Sequence, residues 1–66
     1  MINIELFKNT ISEKGKSIKD VYVFLNIDSS TLYRKMIGES DFYREEIKKI
    51  CELLEIEDPK PIFFDS

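Results

Sequence analysis

The chain reads as an all-α protein: a compact bundle of four to five short helices built around a central helix-turn-helix. Three observations predict this. Apolar residues recur at helical spacing, most cleanly at Ile47, Ile50, Cys51 and Leu54, which share one face. Good helix-starting residues, Asn3, Ser17 and Asp28, stand just ahead of such patterns, while Gly15 and Gly38 stand just past the end of one. Sixty-six residues, 42% hydrophobic and 35% charged, suit one small globular domain covering 1–66 rather than a disordered chain.

The first helix is predicted over about 3–14. Ile4, Phe7 and Ile11 share a face with Leu6 beside them, and Lys14 lies in the last turn, where a cation suits the helix dipole. The second, over about 17–25, starts at Ser17 with Asp20 in capping-box position, and Ile18, Val21 and Leu25 point inward. Only Asn26 and Ile27 separate it from the next helix, so the two must cross steeply, with Ile27 plugging the corner. Asn26 suits that turn because Asn visits the left-handed region. The third helix, over about 29–37, is capped by Asp28 and stopped by Gly38.

Glu39 to Asp41 form a polar loop, and Phe42 is its apolar anchor against the core. A fourth helix runs over about 44–55. Tyr43 cannot cap it, so no residue marks its start. Asp58 and Pro59 sit as N-cap and first helical residue of a short terminal turn or helix over 59–64. Ile62, Phe63 and Phe64 must dock somewhere: over the open end of the bundle, or against a second copy in a homodimer.

Composition excludes much. One cysteine and no histidine make neither a disulfide nor a metal site, and they remove Cys–His and Ser–His nucleophile pairs. No cofactor site is expected, and the chain is not expected to be an enzyme. Cys51 is read as a small buried hydrophobe. With no membrane-spanning run and no signal peptide, the expected compartment is the cytoplasm. The net charge of −3 is unevenly spread. From Lys8 to Ile37 six cations face three carboxylates, whereas from Gly38 onward four cations face nine. The basic half permits DNA binding, but a phosphate binder usually carries a clearer basic stripe.

The stretch SIKDVYVFLNIDSSTLYRKMIG resembles the helix-turn-helix of phage repressor and Cro proteins, in the broad XRE-type family. Its continuation, TLYRKMIGESDFYREEIKKI, is similar to small regulators from the lysis–lysogeny regions of temperate phages of Gram-positive bacteria. Some of those act like Cro, and others are antirepressors of the Mor (modulator of repression) kind. The likeness covers nearly the whole chain and implies a phage-repressor-like fold in a bacterial host cytoplasm. Carried over from the family, the base-reading positions are Ser29, Ser30 and Arg34, with Arg34 suited to a bidentate contact with guanine. Thr31 lies on the same third helix. Tyr33 and Lys35 are placed to reach phosphates, as are Ser17 and Lys19 at the start of helix two. The bland alternative is an ordinary polar helix face.

The departures from that family carry equal weight. Ile18 stands where relatives have a polar, phosphate-binding residue, and Tyr22 stands where they have Ala. Val23 and Phe24 replace charged, solvent-facing residues. Val21 to Leu25, VYVFL, is thus apolar all round and must be covered all round. Either the fourth helix or the terminal phenylalanines fold over Val23 and Phe24, or these two form a protein-binding patch. Two functions follow as expectations. In one, an antirepressor binds the repressor's N-terminal DNA-binding domain as a heterodimer, its acidic excess suiting a basic DNA-reading face. In the other, a Cro-like protein binds operator DNA directly, and operator contact in complex with the repressor is a variant of these.

Overall fold

The computed structural model describes residues 2–64. It is all-helical, with α1 (Ile4–Glu13), α2 (Ile18–Phe24), α3 (Ser29–Met36), α4 (Arg44–Leu54) and α5 (Lys60–Phe63), and no strand among the described residues. The predicted elements are all present, each one or two residues shorter than expected. Among the described residues, no helix is long and apolar enough to cross a membrane.

Short-range chemistry starts and stops these helices. Asn3 Oδ1 accepts from the Leu6 N–H at 3.0 Å, and Asp28 Oδ1 from the Thr31 N–H at 2.9 Å. Bonds from Thr31, its side chain first, hold the Asp28 carboxyl below the usual carboxylate range. At α2 the capping box closes. The Ser17 N–H donates to Asp20 Oδ2 at 2.8 Å, and the Asp20 N–H returns to Ser17 Oγ at 3.2 Å.

α2 ends on a left-handed Asn26 (φ +59°), with Ile27 N–H reaching back to the Tyr22 carbonyl at 3.0 Å and Asn26 N–H to Val23 at 3.1 Å. That paired closure is a Schellman motif. Gly38 (φ +87°) ends α3 the same way, its neighbour Glu39 donating to the Arg34 carbonyl at 2.9 Å. The turn between α2 and α3 is thus specified at both of its ends, and the two helices pack together. α4 stops on Glu55 (φ +55°), a left-handed residue that no glycine or asparagine announces.

The core gathers Phe7, Ile11, Val21, Leu25, Leu32, Met36, Ile50, Leu54, Ile62 and Phe63. α2 packs on α3 and α4, while α1 packs on α5, where the Asn3 N–H donates to the Ile62 carbonyl at 2.6 Å. Phe7, Phe42 and Phe63 meet edge to face, with ring centroids 5.2–6.1 Å apart. Such contacts add to what burial alone contributes. Phe42 is therefore the anchor expected of it, and Ile27 packs against the core from the turn.

The terminal triplet divides. Ile62 and Phe63 are core, whereas Phe64 is 60% exposed. Cys51 is only half-buried, a correction to its expected full burial, although burial still pushes its thiol pKa up and away from reactivity. Tyr43 indeed supplies no cap to α4. Glu46 instead reaches back, accepting from the Tyr43 N–H at 2.8 Å.

Candidate functional site

α3 presents Ser29, Ser30, Tyr33 and Arg34 to solvent, all four exposed. Ser29 and Ser30 follow directly on the Asp28 cap, and the Ser30 hydroxyl hydrogen-bonds its carboxylate. Thr31 is half-buried and occupied with that cap. On α2, Ser17 is exposed but spends its hydroxyl on the capping box, and Lys19 is free of ion pairs among the described residues. Tyr22 is half-buried against the core.

Lys35 corrects the expectation that it reaches phosphate. It is 5% exposed, and its ammonium is fully engaged: 3.0 Å from Glu46 Oε1, 3.0 Å from the Asp41 carbonyl oxygen, and 4.2 Å from the Tyr43 ring centroid. An ammonium has three donors, and here each has an acceptor or a π-face. Leu32 and Met36 lie on the same buried side of α3, so the helix turns Lys35 inward with them. One of the two cations of α3 is therefore internal, and Arg34 is the one that faces solvent.

On α2, Val23 lies on the side opposite the core contact Val21, and Phe24 lies on the flank between them. Val23 and Phe24 are 60% and 44% exposed, so neither α4 nor the terminal phenylalanines cover them. For a chain of this size, two large apolar side chains left bare on adjacent positions are notable, because interfaces are anchored by residues of this kind.

The structure also brings together residues that no sequence pattern linked. A groove of about 630 Å³ runs between α1, the start of α2, and α3. Ile4, Ile18, Tyr33 and Ile37 form its apolar walls over Met36, and Lys8 stands at its edge. Ser29 and Ser30 line it too, so the groove shares residues with the expected base-reading surface. Arg34, Lys19, Val23 and Phe24 lie outside it. Ile4 and Lys8 on α1 meet Ile37, the residue that ends α3, only through packing between helices, which no local sequence pattern announces. The apolar Ile18 at a phosphate-binding position was the one available hint.

No family model, curated protein or solved structure matches this chain. Among the described residues no group of three or more His, Cys, Asp or Glu side chains is arranged to hold a metal ion.

Proposed function

We propose that this chain is a non-enzymatic regulator in a phage lysis–lysogeny switch. It acts in the bacterial cytoplasm as an antirepressor, binding the repressor's DNA-binding domain and blocking or modulating its hold on the operator. The observation that carries this is the uncovered Val23–Phe24 pair on α2. Two further features lean the same way. Ile18 lines an apolar groove where a DNA binder needs a phosphate contact, and Lys35 has surrendered its charge to Glu46. Both reduce what α2 and α3 together offer a polyanion.

The test is a paired one on Phe24→Ser. Binding to the repressor's DNA-binding domain is expected to fall by at least thirtyfold, corresponding to about 2 kcal/mol or more for an interface anchor. The melting temperature of the isolated variant should stay close to that of the parent, because the side chain is already partly in water. A large drop in melting temperature would place Phe24 in the core instead and remove the chief support for a protein partner.

The second function, a Cro-like dimer on operator DNA, is favoured by one observation: Ser29, Ser30 and Arg34 are all exposed on α3. There, Arg34→Ala should cost about 1–3 kcal/mol of operator affinity and relax specificity at one base pair. For an antirepressor the same variant leaves DNA behaviour unchanged. Gel-shift titrations of the pure chain and of Arg34→Ala on switch-region DNA decide between them, and tight sequence-specific binding without any partner favours Cro.

A further inference from the structure

The groove between α1 and α3 differs in chemistry from the Val23–Phe24 pair, and its lining says what it can accept. Four apolar side chains and the buried Met36 make it a poor seat for phosphate. Its volume lies in the range of about 300–1,000 Å³ typical of ligand sites, and an amphipathic helix characteristically fills such a groove with its apolar face. Its charge is one-sided. Lys8 stands at the edge, exposed and without an ion pair among the described residues, and no carboxylate lines the groove. With Lys35 internal and paired to Glu46, the segment that encloses most of it, Lys8 to Ile37, still shows solvent five cations against three carboxylates. Complementary charge sets which partner is admitted more than how tightly it is held.

We propose that this groove receives the apolar face of an acidic amphipathic helix of the protein partner, with one of its carboxylates paired to Lys8. This rests on the antirepressor function and names the second contact through which it works. Because Ser29 and Ser30 line the groove, a seated helix covers them, and a molecule holding the partner cannot read DNA with α3.

The probe is the cognate repressor's DNA-binding domain, titrated by calorimetry against the parent chain, Ile37→Ser, Lys8→Glu and Lys8→Ala. Melting curves check that each variant is folded. Ile37→Ser and Lys8→Glu should each weaken binding at least tenfold, and Lys8→Ala should lose much of the parent's salt dependence. Lys8 is a surface residue, so Lys8→Glu decides the matter even if Ile37→Ser folds poorly. If the parent binds and both variants bind equally well, the groove is not the contact, while the antirepressor function stands. Tighter binding by Lys8→Glu shows a basic occupant and overturns the proposal. Concentration-dependent self-association of the chain alone, abolished by Ile37→Ser, makes the occupant a second copy and overturns it as well. No binding by the parent overturns the antirepressor function, and this inference with it.

Discussion

Replacing Glu46 with Ala should destabilise the protein by about 3–5 kcal/mol. One carboxylate oxygen, Oε1, accepts from Lys35 Nζ at 3.0 Å and from the Tyr43 N–H at 2.8 Å. Its removal strands an ammonium whose side chain is 5% exposed and leaves the Tyr43 N–H, just ahead of α4, without its acceptor. The remaining partners, the Asp41 carbonyl and the Tyr43 ring, do not neutralise the charge. Glu46→Gln should fall between parent and Ala, since it keeps an acceptor for Tyr43 and loses only the charge. Lys35→Met should also destabilise, because it leaves the Glu46 carboxylate, 15% exposed, without its cation. The double variant Lys35→Met/Glu46→Gln removes both charges, keeps an acceptor for Tyr43 and should come out near neutral or stabilising, because a buried ion pair is costly to desolvate and its apolar replacement is not. Urea unfolding of these variants checks the order. A double variant as unstable as Glu46→Ala would mean that the pair contributes net stability in its own right.

Phe7→Ala should cost a similar amount, about 3–5 kcal/mol, through a different mechanism. Phe7 is fully buried and touches both other rings of the aromatic cluster, at 6.1 Å from Phe42 and 5.8 Å from Phe63. Truncation leaves a cavity that α1 and α5 cannot close without moving. In a domain of this size each kcal/mol shifts the melting temperature by roughly 4–8 °C. The variant should therefore melt at least about 12 °C lower and can be unfolded at room temperature. Phe64→Ala is the control: at 60% exposure it should change the melting temperature little. Circular dichroism melts of both variants test this contrast between a buried and an exposed phenylalanine.

The features legible from sequence were those set by near neighbours. Ser17 with Asp20, Asp28, Asn26 and Gly38 act over three to five residues, and each does in the fold what its type and position imply. The core stripe of α4 was equally plain at Ile50 and Leu54, since helical periodicity alone selects that face. Lys35 was illegible because a lysine at a helix surface position ordinarily points to water. What turns it inward is Glu46, on another helix. Glu55 hid for a similar reason: nothing about glutamate announces a left-handed residue. Val23 and Phe24 could be placed on an outer face by angle, but only the assembled fold shows that nothing covers them. The groove is the extreme case, assembled from α1, α2 and α3 with no local signature.

The enclosure of the Lys35 ammonium also makes it a chemical sensor. Amine-reactive reagents need a free, unprotonated amine in reach of solvent. The chain's other lysines are exposed, whereas Lys35 can react only when the junction between α3 and α4 opens. Its labelling rate then clocks that local opening separately from global unfolding. Acetylation at Lys35, by abolishing the charge that holds Glu46, would trap the junction open after a single excursion.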